Sequence, residues 1–531
     1  MLKKGYQAVL RFFEKYYWIC FAAAVLVLAF YCFRCLDVQY VDSWDEARHG
    51  VNAYEMMQNG NYIQHTYNYQ VDDWNLKPSI SYWGIILGFQ LFGYSVFGLR
   101  FVSALAYLVT GIGCGLFAKR YSKEASILVI GFFCANTLPL SAHLARSGDA
   151  DSLYLLFFTF AMLAMFRIRE SKKNLYICGL MFALAFLTKS WHAGMIAAIG
   201  GLYLLASREL FQLKLKEWIG FLVSVFAPLV LWFGWRFTKD GFWFLQQMVE
   251  VDLLARTGTS NFEGHAYPFD FYYDVVFANE NYIYRWLVGI CILGVVVGLF
   301  WLWKKKAWTR VICEDGFGYV LWFFVPFLGF SLIQTKLIWY CYPCIVPLFL
   351  VAAIFLGKLL RMPLTLGAET KGDGSQDDKA GQASGTRSQK NSWRAELCGA
   401  AHWLAAFACV ILVAFYMKDT YLEVIRSAHG DGFQLFMQES AERDSPYAGR
   451  KAYTQTATED PEEIGTWDQN MLFVAEISGD FHCEDGGVEG FLAEKEPAVL
   501  YLEQGQYAEA AEELQGVEVL YENEGYVLLG N

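Results

Sequence analysis

The chain has 531 residues, of which 56% are hydrophobic, 18% aromatic and only 18% charged. That balance excludes an ordinary soluble multidomain protein, whose surface would need more charge. The net charge of −11 averages two unlike parts. The tail from Lys418 onward carries more than the whole acidic excess, and the remainder is net basic.

The chain opens with Lys3, Lys4 and Arg11, then an apolar run without a small-residue cleavage site, which reads as an uncleaved anchor. Uncharged apolar blocks of roughly 17–22 residues, enough to cross about 30 Å of hydrocarbon, recur along the chain. They predict about eleven transmembrane helices, over 16–36, 97–118, 124–141, 150–167, 174–189, 191–206, 217–237, 284–303, 316–334, 338–357 and 396–416. The expected fold class is a mainly α, polytopic membrane protein. Residues 1–360 form a transmembrane module with outer loops 37–96 and 238–283. A Gly/Ser/Gln-rich linker, 361–393, is expected to be disordered. The last span, 394–417, leads to an acidic outer domain, 418–531. There Ala498–Leu502 predicts a strand, Gln506–Leu514 a helix, and 517–521 with 526–529 a hairpin.

Basic clusters at 119–123, 167–173, 214–216, 304–310 and 358–394 all fall on one side of these spans. The positive-inside rule makes that side cytoplasmic, with the N-terminus. The tail and the alternate loops face outward across the cytoplasmic membrane. No basic stripe runs outside the short loops, so nothing points to nucleic acid as a partner; membrane lipids are the expected surroundings. Cys341 and Cys344 have a C-x-x-C spacing, but inside an apolar helix, where thiols behave as small hydrophobes.

The outer loops hold the charge. Asp45, Glu46, Arg48 and His49 directly follow the first span. The apolar spacing of Ala47, Val51, Tyr54 and Met57 predicts an amphipathic helix lying on the membrane surface, ended by Asn59-Gly60. Asp72-Asp73 and Lys77-Pro78 come next, then a second apolar stretch, 81–92. Arg146 to Asp151, Thr188 to His192, Asp252 to His265, and Lys336 lie on the same side. Carboxylates can act as bases or metal ligands, and Lys and Arg can hold phosphate. Together at a lipid border they suit a lipid phosphate substrate with its head group outward. The chain has no nucleotide-binding P-loop, no nucleophile elbow and no H-E-x-x-H helix. Group transfer from a lipid carrier is the expectation. The alternative is a transporter or flippase of polyprenyl-linked glycans, which would place polar residues near the midplane and repeat itself. A weaker third reading is an assembly protein that binds through its acidic tail.

The set Asp45-Glu46-Ala-Arg48, Asn59-Gly-Asn-Tyr62, Lys77-Pro78, Tyr82-Trp83 and Leu91 to Phe101 resembles the GT-C class of membrane glycosyltransferases. The similar branch holds the protein O-mannosyltransferases and lipid A aminoarabinose transferases. Arg146 to Asp151, Leu187-Thr-Lys189, His265 to Phe269 and Lys336 to Tyr340 extend the match, from about residue 37 to about 350. The resemblance implies inverting transfer of a sugar from polyprenyl phosphate to an acceptor hydroxyl or phosphate. It implies Asp45 as the base, and Asp151, with Asp149 as the competing alignment, as the second acid; Glu46 joins this set. Lys77 would face the donor phosphate, aided by Arg48, Lys189, Arg256 and Lys336. A divalent metal is implied through His265. Leu76 stands where relatives carry a metal-binding Glu, so Asp72 or Asp73 would have to replace it.

Overall fold

The structure is a computed structural model. It describes residues 2–41, 45–72, 74–258, 265–305, 315–361, 384–430, 432–440, 445–447, 449–455, 469–474, 476–477, 482–484 and 486–531. The expected linker falls largely outside these residues.

Helices α1 (Leu2–Lys15) and α2 (Tyr17–Phe33) meet at a 78° bend. The apolar α2 ends where Arg146 takes over its unsatisfied carbonyls, donating to those of Tyr31, Cys32, Arg34 and Cys35 at 2.7–3.3 Å. The 37–96 loop folds into α3 (Asp45–Asn59), the short β1 (Thr66–Tyr67) and β2 (Gln70–Val71), and α4 (Ile80–Phe92). Then come α5 (Val96–Ala118), whose first turn is capped by the Ser95 hydroxyl, α6 (Lys123–Cys134) and α7 (Thr137–Ser141). Next are α8 (Asp151–Met165), α9 (Lys173–Lys189), α10 (Gly194–Ala206), α11 (Leu215–Asp240) and α12 (Trp243–Gln247). Helices α13 (Tyr284–Lys304), α14 (Asp315–Leu332), α15 (Tyr342–Leu360) and α16 (Ser384–Thr420) complete the apolar part. Helix α15 is buried along most of its length, whereas α11 and α13 leave Val230, Leu231, Val296 and Phe300 exposed, as lipid-facing helices do.

The fold is that of a polytopic membrane protein. Among the described residues, six helical segments are long and apolar enough to cross a bilayer, or seven with the bent α1–α2 pair, fewer than the eleven expected. Part of the difference is length: α6 has 12 residues and α8 has 15. Part is connectivity. Lys173–Ala206 is one apolar helical run, yet Lys172 Nζ lies 2.6 Å and Arg169 Nε 3.0 Å from the Glu209 carboxylate. The two ends therefore meet, and α9 and α10 form a hairpin turning at Ser190, whose φ is +54°.

Beyond α16 come α17 (Gly432–Ser440), β3 (Lys451–Thr454), α18 (Gln469–Val474), β4 (His482–Glu484), α19 (Gly487–Ala493), β5 (Ala498–Glu503), α20 (Gln504–Glu509), β6 (Glu518–Glu522) and β7 (Tyr526–Gly530). The five-stranded sheet has the order β4-β3-β5-β7-β6, with β3 parallel to β4 and β5 and with β7 antiparallel to β5 and β6. The expected strand and hairpin are present. The helix starts two residues earlier and stops five sooner than expected, because Glu503 and Gln506 form a reciprocal cap at its start.

This sheet domain sits on α3 and α4. Phe436, Phe473, Ile477 and Tyr501 share one apolar core with Val51, Tyr54, Tyr82 and Phe89. The surface-lying amphipathic helix expected at 47–58 is thereby corrected: α3 is buried from Glu46 to Met56 apart from Arg48, between α4 and the sheet domain.

Candidate active site

Asp45 stands in the first turn of α3, and Lys77 lies on the run into α4. Asp149 closes the turn before α8. The Lys77 ammonium is 3.0 Å from Asp45 Oδ1 and 3.9 Å from Asp149 Oδ1. The opposite edges of both carboxylates face His143: its Nδ1 is 3.1 Å from Asp149 Oδ2 and 3.9 Å from Asp45 Oδ2. Two acids thus present one edge to an ammonium and the other to an imidazole. His143 is held in the left-handed region, φ +51°, with its ring stacked on Trp339 at 3.7 Å between centroids.

Burial disfavours charge on both carboxylates. Lys77 overrides it, so Asp45 sits below the usual carboxylate range and Asp149 well below. Burial, reinforced by Lys77, pushes His49 down to about 4, so its ring is neutral at neutral pH. Its Nε2 lies 3.3 Å from Lys77 Nζ. A neutral ring accepting there carries its proton on Nδ1, 3.6 Å from Asp149 Oδ1.

Glu46 belongs to the framework and not to the reacting groups. It is 1% exposed, and its two oxygens take Nε and NH2 of Arg100 at 2.6 and 2.7 Å. The same guanidinium donates to the carbonyls of Leu36, Gln39 and Tyr40. Glu46 Oε1 also accepts from Gly148 N at 2.8 Å, tying the base of α3 to the residue before Asp149. A Cβ at Gly148 would come within 2.5 Å of Leu99, so that approach requires glycine.

Arg48 is committed to Asp72 through Nε at 3.0 Å and NH2 at 2.8 Å, and lies over the rings of Tyr67 and Trp74. Asp72 also accepts from Asn52 and from the backbone N–H groups of Trp74 and Asn75. Burial opposes its charge, but Arg48 holds it far below the usual range. Neither residue reaches the cluster around Lys77: the expected roles of Arg48 at phosphate and Asp72 at metal are corrected to holding the loop. Asp73 lies outside the described residues. Lys336 is 3% exposed and spends its ammonium on the carbonyls of Tyr267, Ile333 and Gln334. It pins the 265–267 segment, which replaces the phosphate role expected of it. Asp151 pairs with Lys189, which lies over the ring of Tyr340. Arg256 reaches the Tyr340 hydroxyl at 3.3 Å and Asp252 at 3.4 Å. These three expected residues therefore form one chain beside the Asp45–Lys77–Asp149 group.

Among the described residues, one set of three groups could hold a metal: Asp45, His143 and Asp149, whose ligand atoms lie within 4.8 Å of one another. Two carboxylate oxygens and an imidazole suit a divalent cation, and Lys77 occupies the other edge. His265, expected beside Asp72 or Asp73, is not in this set; its carbonyl accepts from Lys336 N, and Asp72 is held by Arg48. His143 and His49 escaped assignment from sequence. The signal for His143 was its place six residues before Asp149 in the same charged turn, but its stacking partner is distant in the chain.

Residues 76–232 match the family model described as dolichyl-phosphate-mannose-protein mannosyltransferase. Undecaprenyl phosphate-alpha-4-amino-4-deoxy-L-arabinose arabinosyl transferase 2 of Pseudomonas fluorescens (strain Pf0-1) is 25% identical over 335 residues, 60% of this chain and 56% of that protein. The corresponding transferase 1 of that strain is 24% identical over 61% of this chain and 55% of its own length. The chain thus spans less than two thirds of these curated relatives. ArnT from Cupriavidus metallidurans, crystallised with undecaprenyl phosphate, superposes with a TM-score of 0.61 at 18% identity, over 96% of this chain and 97% of that one. The apo oligosaccharyltransferase of Archaeoglobus fulgidus gives 0.52 at 11% identity, over 95% and 69%. At these identities the structural likeness establishes the fold.

Proposed function

We propose that this chain is a membrane glycosyltransferase of the GT-C class, whose fold and family-model match it shares, and that it is an inverting sugar transferase. It takes a sugar from a polyprenyl-phosphate carrier and passes it to a hydroxyl or phosphate of a lipid, cell-wall polymer or protein at the outer face of the cytoplasmic membrane. The observation that carries the reading is a single ammonium, Lys77, held between the half-buried carboxylate of Asp45 and the buried one of Asp149.

Lys77 is the group that meets the donor phosphate. As the phosphate draws the ammonium away from Asp45, the carboxylate loses the charge that keeps it a weak base, and its proton affinity rises. Asp45 then takes the proton of the acceptor hydroxyl as that oxygen attacks C1 of the sugar. The C1–O bond to phosphate breaks in the same displacement, and the polyprenyl phosphate leaves with its charge facing Lys77. Asp149, fixed by His143 and by the Glu46–Gly148 contact, keeps the ammonium aimed. A divalent cation on the Asp45–His143–Asp149 edge would add positive charge for the leaving phosphate. Lys189 and Arg256, strung along Asp151 and Tyr340, supply further positive charge on the donor side.

The distribution of charge supports the orientation proposed here. Lys123 and Arg361 reach Glu14, and Lys172 reaches Glu209, at the helix ends away from this site. That basic end is cytoplasmic, with the N-terminus, and the sheet domain is outside. The transporter alternative is unsupported: the charges gather at one end of the helices, and the curated relatives above are named as transferases.

Native mass spectrometry of the purified chain tests the reading. Wild type is expected to carry a polyprenyl-phosphate sugar, Asp45→Asn to keep it without turning it over, and Lys77→Ala to lose it. A bound lipid diphosphate oligosaccharide that is indifferent to Lys77 would overturn the assignment.

A further inference from the structure

The segment that carries Asp45 is gripped by the outer domain on both sides. Upstream, Tyr40 N donates to the carbonyl of His429 at 3.2 Å. The Gln434 side chain makes two bonds to one residue: its oxygen accepts from Val41 N and its amide donates to Val41 O, both at 2.9 Å. Gln434 is 5% exposed. Downstream, the Phe473 ring lies on Gly50, one turn of α3 beyond Asp45. A Cβ at Gly50 would come within 2.4 and 2.5 Å of that ring. Gly50 follows His49, which touches Lys77. Farther along α3, buried Glu55 faces buried Glu476 of the same outer domain.

We propose that the outer domain is part of the transfer machinery, with Gln434 and Phe473 as positioning residues that fix the height and rotation of the Asp45 turn. The inference rests on the transferase reading above. Val41 and Gly50 lie four residues before and five after Asp45. An amide side chain satisfying both polar groups of Val41 fixes its backbone in both directions, as a neighbouring strand would. The ring on Gly50 fixes the rotation of α3 about its axis, because glycine is what admits so close an approach. A base misplaced by about 1 Å can lose on the order of a hundredfold in rate. The domain therefore contributes to turnover without touching the donor.

The test uses the full-length chain in lipid nanodiscs, with Gln434→Met and Phe473→Ala. Each is expected to lower kcat about 10- to 100-fold, with the donor KM changed less than about twofold. Amide exchange over residues 45–50 should accelerate. Gly50→Ala should show the same loss, and Gly50→Ala combined with Phe473→Ala should recover part of it, since the added methyl then has room. That recovery also serves if a single variant folds poorly. Rates within about twofold of wild type in both single variants, equal losses of kcat and donor affinity, or no recovery in the double variant would overturn the proposal. Amide exchange does not depend on the reaction. A wild type without transfer activity would therefore sink the transferase reading, while unchanged exchange in the variants would sink the positioning role.

Discussion

Replacing Glu46 by Gln changes little volume but removes one charge from a sealed site. Arg100 is 2% exposed and meets both Glu46 oxygens. With an amide in their place, one guanidinium N–H faces another donor. Breaking a buried ion pair by removing one partner costs about 3–5 kcal/mol. The lower end applies here, because the carbonyls of Leu36, Gln39 and Tyr40 still surround the cation. About 3 kcal/mol is on the order of a hundredfold in the folding equilibrium. The change should also reach turnover, since Glu46 Oε1 holds Gly148 N and thereby the spacing of Asp45 from Asp149. Two assays read it: the apparent unfolding temperature in detergent, and the initial rate of sugar release from polyprenyl phosphate. Glu46→Gln should lower both, and Glu46→Gln with Arg100→Met should lose less than the sum of the two single changes, by about 1–3 kcal/mol. Additive losses, or a Glu46→Gln protein matching wild type in both assays, would show that this pair does not tie α3 to α5.

Lys77→Met should cut kcat/KM for the donor by roughly 10²–10³, read as transfer rate against donor concentration. His143→Ala should weaken any stimulation of transfer by Mg²⁺ or Mn²⁺ by tenfold or more; cation-dependent thermal shifts provide a readout independent of turnover. Burial raises Glu55 from its ordinary value of 4.5 to about 7, against the lowering effect of its bonds to Thr66 and Tyr69. The docked domain thus holds a proton that an undocked one releases. Docking is at full strength below about pH 4.5 and weakens by roughly 3 kcal/mol as pH rises through 7. Glu55→Gln should remove that dependence from the amide exchange of α18.

Much of the site was readable because charge stands out in an apolar chain. Asp45 and Lys77 flank apolar runs, where an unneeded charge is costly, and their pairing at 3.0 Å joins two positions singled out independently. Sequence does not record which charges are already spent. Glu46, Arg48, Asp72 and Lys336 looked as available as Lys77, yet each is consumed by a partner: Arg100, each other, or backbone carbonyls. Those partners are set by the tertiary fold. The same limit hid His143, whose surroundings come from Trp339, and it misread α3. Its apolar face was visible, but the cover turned out to be the distant sheet domain rather than lipid.

The four carbonyls gathered by Arg146 at the end of α2 have a mechanical consequence. The guanidinium welds the first apolar helix to the turn that ends in Asp149, so the two move as one body. At its other end α2 breaks by 78° into α1, whose Tyr6 is bonded to Leu360. A bilayer a few ångströms thicker or thinner would tilt α2 and carry the carboxylate pair with it. The depth at which the proposed transferase would meet a lipid-borne substrate is therefore gauged against the membrane itself.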